Sequence, residues 1–349
     1  FLVVALAVLT VEGIRRRKFV PVALAAAAVV VAILVIPRPL TVGGQESTAT
    51  VAVVQGGTPG TGMDALSVRR AVLQHHVDET LALAAAVDAG AEPPPDFVVW
   101  PENASDIDPF RDPSAAALID AAVRAIDAPV LVGVVLATED PTKVENAGIV
   151  WDPVSGPGER YVKMHPVPFG EFLPFRDQLT ALIGRFDRVP RDFVRGTEPG
   201  ILNIGGVVVG DAICFEVAYD DVFTSVIAGG AEVITVQTNN ATYQGTGQPA
   251  QQWDIERLRA LNAGRAVVVA STTGISGFIA PDGTVDQQLG EGETGYLVSE
   301  VPLSTSRTPA SLLGAAPEAI AGVAMLIGVG LGFYVRRRRA ALVASSPDQ

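Results

Sequence analysis

The sequence predicts a layered α/β domain bracketed by apolar segments able to cross a membrane. Short β-branched runs bounded by Gly, Pro or Asp recur through the middle of the chain, with longer Ala/Leu/Val segments of helical pattern between them. That alternation favours sheets covered by helices over an all-β sandwich. Hydrophobic residues make up 48% of the 349 residues and mean hydropathy is +0.34, high for a purely water-soluble chain. A formal charge of −13 argues against a nucleic-acid partner, because a phosphate-tracking surface needs clustered Lys and Arg. The single cysteine, Cys214, excludes an internal disulfide and multi-cysteine metal sites. His75, His76 and His165 lack metal-ligand spacing, so neither a metal nor another cofactor is expected.

The first residue is Phe1 rather than Met, and Phe1 to Val11 is already apolar, so the sequence is expected to begin inside a longer protein. A basic cluster, Arg15-Arg16-Arg17-Lys18, precedes a second apolar stretch from Phe19 to Ile36 that ends at Pro37-Arg38-Pro39. Its length suits a bilayer span of roughly 20 residues. A signal peptide fits less well, since its apolar region is shorter and nothing apolar precedes it. At the other end Ala315 to Val335 is apolar apart from Glu318 and runs into Arg336-Arg337-Arg338-Arg339. The positive-inside tendency puts both basic clusters in the cytoplasm and the intervening chain on the opposite side. A buried hairpin of core helices would not account for basic runs abutting apolar segments of this length. The expected organisation is a membrane region over 1–40, an extracytoplasmic domain over 41–310, and a C-terminal span with a basic tail over 311–349.

Within the domain, Ala49 to Val54 reads as a strand entering the turn Gln55-Gly56-Gly57, and Ala65 to Ala89 as a helix. Asp96 to Trp100 is a strand stopped by Pro101; Ser114 to Ile126 is helical; Pro129 to Leu136 is a buried strand. Ala147 to Asp152 and Glu159 to Val162 form a hairpin, and Val233 to Gln237, Ala266 to Ser271 and Ser276 to Pro281 complete the expected strands. Trp253 to Ala263 is the clearest late helix. Val207-Val208-Val209 is a strand interrupted at Gly210-Asp211 and resumed at Ala212 to Glu216, which puts the Cys214 thiol at a buried strand end.

A lone cysteine is most often an inert core residue, so its surroundings must supply a base and a cation if it is to be a nucleophile. Glu102 follows a strand directly in Trp100-Pro101-Glu102-Asn103; taken alone, a glutamate there is more often a solvated loop residue than a functional one. More specific is the stretch from Tyr161 to Phe175, where Lys163 and Glu171 sit among apolar residues and prolines that stiffen the chain. A carboxylate, an ammonium group and a thiol are the parts needed for acyl transfer through a thioester.

The order Glu102, Lys163, Cys214, with WPEN, YVKMHPVPFGEFLP and GDAICFE around them, resembles the nitrilase (carbon–nitrogen hydrolase) superfamily. The KMHPVPFGE segment, with apolar spans on both sides, is similar to the apolipoprotein N-acyltransferase family within it. The resemblance covers about Thr48 to Val301 and implies a four-layer αββα sandwich flanked by transmembrane helices, held at the outer face of a bacterial cytoplasmic membrane. It implies Glu102 as general base, Lys163 as the oxyanion-stabilising cation and Cys214 as the nucleophile. The implied acyl donor is a phospholipid and the implied acceptor the N-terminal amine of a diacylglyceryl-cysteine lipoprotein, without a cofactor. Glu171 and Glu216 match further functional glutamates, expected to orient Lys163 and shape the site, and Asn146 and Asn239 align with family segments. Phe215 stands where tyrosine is common and Tyr243 where tryptophan is usual. Gly62-Met63-Asp64 occupies a place where tryptophan is often found, which bears on how the acyl chain or headgroup is held.

Two other functions fit parts of this pattern. A membrane-tethered amidase would use the same three residues with water resolving the thioester. A silent lipid-binding scaffold would need none of them. Leu182 to Arg195 sets Arg185, Arg188, Arg191 and Arg195 among apolar residues in an acidic domain, a pattern suited either to anionic headgroups or to pairing with the domain's own carboxylates.

Overall fold

Runs such as Val51 to Val54 and Val267 to Ala270 are apolar on both faces, so they are stable only as central strands covered on both sides. The computed structural model, which describes residues 47–60, 70–176, 180 and 191–344 and positions 8, 15, 24 and 27, places them so. One sheet contains β1 (Ser47–Gln55), β2 (Phe97–Val99), β3 (Val130–Ala137), β4 (Lys143–Asp152), β5 (Gly156–Val162) and β13 (Gly295–Leu303) in the order β13-β1-β2-β3-β4-β5, with the short β6 (Asp192–Phe193) beside β4. The other contains β7 (Ile201–Ile204), β8 (Val207–Ile213), β9 (Val233–Thr238), β10 (Val267–Ser271), β11 (Ser276–Ile279) and β12 (Val285–Leu289) in the order β12-β11-β10-β9-β8-β7. In each sheet the central strands are parallel, β1-β2-β3 in the first and β8-β9-β10 in the second, with antiparallel strands outside them apart from the short β6, which runs parallel to β4.

Side-chain alternation sorts each strand between two cores. Val51, Val53, Phe97, Val99 and Leu131 of the first sheet meet Ile204, Val209, Ile213 and Val268 of the second. The opposite face of the first sheet, including Ala52, Val98, Trp100 and Val132, packs on Leu73 and Val77 of α1 (Ala71–Asp88) and Ile119 and Val123 of α2 (Pro113–Ile126). The outer face of the second packs Ala212, Ile234, Val236 and Val269 on Phe223 and Ile227 of α3 (Asp220–Ala228) and Trp253 and Ala260 of α4 (Gln248–Ala263). The layers are therefore α, β, β, α, each inter-layer contact burying side chains worth about 1.5–3 kcal/mol apiece. Local signals agree: Asp112 caps α2 by accepting from the N–H groups of Ser114 and Ala115, Pro113 opens it, and α4 ends at Gly264.

Several expectations need correcting. β8 is not interrupted at Gly210-Asp211, which pair in register with Ile234 and Thr235 of β9. The strand stops at Ile213, and Cys214 to Glu216 belong to a 3-10 turn, Cys214–Ala218. β7, β12, β13 and α3 were not anticipated, and α4 starts at Gln248 rather than Trp253. Beyond α5 (Pro309–Leu313) lies α6 (Ala316–Ala344), whose Ala316–Arg338 portion is, among the described residues, the one stretch long and apolar enough to cross a membrane. Thr41–Leu312 forms a compact unit separate from the one holding the chain ends. The expected span Phe19 to Ile36 apart from Leu24 and Ala27, the Gly62-Met63-Asp64 segment and residues 181–190 of the arginine-rich stretch lie outside the described residues.

The continuity of β8 buries Asp211 completely. Its Oδ1 accepts from Thr235 Oγ1 at 2.8 Å, whereas Oδ2 has no donor, and neither has the equally buried Gln237 Oε1. Both orphan oxygens lie over Gly148, where a Cβ would sit 2.4 Å from Gln237 Oε1 and 2.7 Å from Asp211 Oδ2. Burial raises the Asp211 carboxyl well above 3.8, and a retained proton would give the two acceptors a hydrogen to share. Below pH 3.8 both folded and unfolded chains hold this proton; as pH rises the unfolded chain ionises first, so the residue disfavours folding increasingly up to its folded pKa. Asp211→Asn is therefore expected to raise the unfolding temperature at pH 8 by about 2–4 °C, with the gain shrinking toward pH 4, as read by thermal melts across pH.

Candidate active site

The ends of four strands converge on one edge of the sandwich. β2 delivers Trp100-Pro101-Glu102, with Trp100 anchored by its Nε1 donating to Thr80 Oγ1 at 2.9 Å. Gly133 of β3 makes room, since a Cβ there would lie 2.1 Å from the Pro101 carbonyl oxygen. β5 points Tyr161 and, two residues on, Lys163 to the same face. The Lys163 N–H donates to the Asn146 carbonyl (2.9 Å), and the Lys163 carbonyl accepts from Gly196 N–H (2.8 Å). β8 ends at Cys214, whose φ of 56° is left-handed, a conformation that non-glycine residues adopt at a cost and that turns the chain abruptly out of the sheet. β9 ends at Thr238-Asn239.

Lys163 is fully buried, and its Nζ donates to Glu102 Oε1 and to Glu171 Oε1, each at 2.9 Å. Asn146 Nδ2 bridges the same two oxygens, donating to Glu102 at 2.7 Å and Glu171 at 3.0 Å, and its Oδ1 accepts from Asn103 Nδ2 at 3.3 Å. The remaining carboxylate oxygens are held by backbone: Asn239 N–H donates to Glu102 Oε2 (2.8 Å) and Val167 N–H to Glu171 Oε2 (2.7 Å). Two of the three ammonium protons are thus committed to carboxylates, leaving one for a developing negative charge. Burial by itself would lower the lysine pKa, but the Glu102 and Glu171 carboxylates outweigh it and hold the ammonium form firmly.

Cys214 is partly exposed as a residue, yet burial of its sulfur, reinforced by Glu102, pushes the thiol up to about 12 against the opposing pull of Lys163. A thiol raised this far favours its protonated form, and Glu102 and Lys163 are the charged groups that act on it most strongly, in opposite senses.

Glu216, buried in the turn after Cys214, ties two of these strand ends together. Its Oε1 accepts from the N–H groups of Met164 (2.7 Å) and His165 (3.0 Å), next to Lys163, while its Oε2 accepts from Ile213 N–H (2.7 Å), next to Cys214. The Tyr161 hydroxyl donates to the same carboxylate at 2.8–2.9 Å, and burial together with that carboxylate raises the tyrosine pKa far above 10.

Of the residues expected from the sequence, Glu102, Lys163, Glu171, Asn146 and Asn239 thus form one hydrogen-bonded cluster, and Glu216 braces the turn that carries Cys214. Phe215 (40% exposed) and Tyr243 (45% exposed) stay at the surface instead of entering this network. Tyr161 was not singled out as a site residue, although its alternation with Lys163 along one strand was a usable signal. Arg195 donates to His165 Nδ1 at 3.1 Å, and His165 stacks on Tyr219 with ring centres 4.0 Å apart.

The sequence profile of the carbon–nitrogen hydrolase family matches residues 50–309. The chain belongs to this family. The chain is 44% identical over 291 residues to the apolipoprotein N-acyltransferase of Mycolicibacterium smegmatis, an alignment covering 81% of this chain and 49% of that protein. The apolipoprotein N-acyltransferase of Azotobacter vinelandii is 32% identical over 264 residues, covering 73% and 48%. The chain spans about half the length of the curated relatives it matches. Among solved structures, an amidase from Nesterenkonia sp. superposes with a TM-score of 0.52 at 18% identity, covering 75% of this chain and 93% of that one, which bears on the fold alone.

Glu216→Gln would set an amide N–H₂ against donors that now face a carboxylate. It is expected to cost about 1–3 kcal/mol of stability and to slow Cys214 chemistry, whereas Tyr161→Phe, which leaves the three backbone donors in place, is milder on both counts. Thermal unfolding alongside turnover measurements checks the ranking.

Proposed function

We propose that this chain carries the catalytic domain of a membrane acyltransferase that moves a fatty acyl chain from a phospholipid, through a thioester on Cys214, to the N-terminal amine of a diacylglyceryl-cysteine lipoprotein. The observation that carries the proposal is the buried Glu102–Lys163–Glu171 cluster at the strand-end edge shared with Cys214, in a chain 44% identical over most of its length to an apolipoprotein N-acyltransferase.

In this reading Glu102 takes the thiol proton as the sulfur attacks the donor's ester carbonyl. The free N–H of Lys163 stabilises the oxyanion of the tetrahedral intermediate. Collapse expels the lysophospholipid alkoxide, which recovers the proton from Glu102, and leaves the acyl group on sulfur. The acceptor amine then attacks the thioester, Glu102 takes its proton, and the thiolate departs and is reprotonated, giving ping-pong turnover. Glu171 positions Lys163 without touching substrate.

The apolar rim fits a lipid donor: Phe169 (53% exposed) and Phe175 (79% exposed) lie on the loop after Lys163, and Phe215 adjoins the nucleophile. With Arg336 to Arg339 closing the apolar α6, and Arg15 to Lys18 preceding the other apolar stretch, the basic-cluster tendency puts the catalytic domain on the extracytoplasmic side of a bacterial membrane, in a multi-pass protein.

Intact-mass analysis of the detergent-solubilised protein after incubation with phospholipid tests this. An acyl adduct on Cys214 is expected, absent in Cys214→Ala, formed about 10²–10⁴-fold more slowly in Glu102→Gln, and discharged by a diacylated lipopeptide that becomes triacylated. Absence of an adduct in folded wild-type protein would count against the acyltransferase. Discharge by water with the lipopeptide unchanged would replace it with the membrane-tethered hydrolase.

A further inference from the structure

We propose that Arg195, tethered to His165, is the subsite for the phosphodiester anion of the acyl donor. The inference rests on reading the chain as a phospholipid-dependent acyltransferase, and it deepens that reading by naming the side chain that tells a phospholipid from an uncharged glyceride.

The arginine-rich stretch suits either anionic headgroups or the domain's own carboxylates, and at Arg195 the structure separates the two. Arg124, Arg160, Arg176 and Arg259 each form an ion pair with a carboxylate. Arg195 is exposed and forms none among the described residues; its side chain donates to His165 Nδ1 at 3.1 Å instead. A guanidinium keeps its protons, so Nδ1 is the acceptor and the ring hydrogen sits on Nε2, which donates to Asp221 Oδ2 at 2.9 Å. The imidazole therefore stands between the guanidinium and the Asp221 carboxylate, and the positive charge is held in place without being neutralised by direct contact. One guanidinium N–H is spent on His165, and the rest form a planar fork that matches the oxygens of a phosphodiester.

Its place matters as much as its charge. Val194 N–H donates to the Val144 carbonyl and Gly196 N–H to the Lys163 carbonyl, each at 2.8 Å, so the backbone of Arg195 is pinned between β4 and the lysine of the site. Gly196 permits this approach, since a Cβ there would lie 2.0 Å from the Val162 carbonyl oxygen. The His165 ring stacks flat on Tyr219, with 4.0 Å between centres and 7° between planes, and Tyr219 and Phe215 meet edge to face with centres 5.6 Å apart. Phe215 follows Cys214 directly. A cation and three rings thus lead to the nucleophile. A phospholipid presents the matching order of groups: an anion, a short glycerol bridge, an ester carbonyl to be attacked and an apolar chain. A diacylglyceryl-cysteine acceptor carries no phosphate, so the subsite serves the donor half of the reaction alone.

Turnover and binding test this separately. In a ping-pong scheme kcat/KM for the donor reports acylation of Cys214, and kcat/KM for the acceptor reports its discharge. Arg195→Gln is expected to lower the donor value about tenfold and leave the acceptor value unchanged. Arg195→Lys, which keeps the charge without the fork, and His165→Phe, which keeps a ring on Tyr219 without the Nδ1 acceptor, are each expected to lower the donor value alone, about threefold. An unchanged donor value in Arg195→Gln, or an equal fall in both values, overturns the proposal. Binding is read on the whole chain carrying Cys214→Ala, in non-ionic detergent, titrated with dioleoyl phosphatidylethanolamine, dioleoylglycerol and inorganic phosphate. The phospholipid is expected to bind about tenfold more tightly than the glyceride, and Arg195→Gln in the same background to remove that preference. Equal affinity for the two lipids overturns the proposal; if inorganic phosphate nevertheless binds through Arg195, the site is one for free phosphate and not for a lipid headgroup. An arginine-dependent lipid preference in a protein that forms no acyl adduct would sink the acyltransferase reading and leave this subsite standing.

Discussion

Burying Lys163 between two carboxylates is the constraint on which the rest of the site depends. Removing an ammonium group from water costs several kcal/mol even after relaxation, and a single carboxylate seldom repays it. Glu102 and Glu171 together do, at the expense of a cluster with one net negative charge. That surplus is spread over the Asn146 amide and the backbone N–H groups of Val167 and Asn239. The donors come from within β4, from the chain after β5 and from the end of β9, so the cluster draws on both sheets.

The same logic explains why Glu102, Lys163 and Cys214 are accompanied by so much buried polar scaffolding. Cys214 and Lys163 arrive on different sheets, and van der Waals packing between sheets would tolerate a sliding of a few tenths of an ångström. Glu216 removes that freedom by accepting from the backbone on both sides, at Ile213 and at Met164-His165. It is a strut between two strand ends, and its carboxylate, not its charge toward substrate, is what matters.

Much of this was legible in the residues. The β-branched runs marked the central strands, and WPEN, the KMHPVPFGE loop and Cys214 marked the site, because strand ends punctuated by Pro and Gly are local features. What was not legible depends on contacts far apart in the chain. The stretch Ala212 to Glu216 has the composition of a strand, and the 3-10 segment at Cys214 shows only with the long-range contacts that Glu216 makes to the Met164 and His165 N–H groups. Gly210-Asp211 looks like a strand breaker, and only a mate with the shape of Gly148 and Gln237 lets an aspartate lie inside a sheet. β12 (Val285–Leu289) is too polar to announce itself, being an edge strand whose middle is exposed.

The thiol held near 12 has a consequence for durability. Peroxide oxidation and disulfide exchange both require the thiolate, so a sulfur kept protonated at rest is nearly invisible to them.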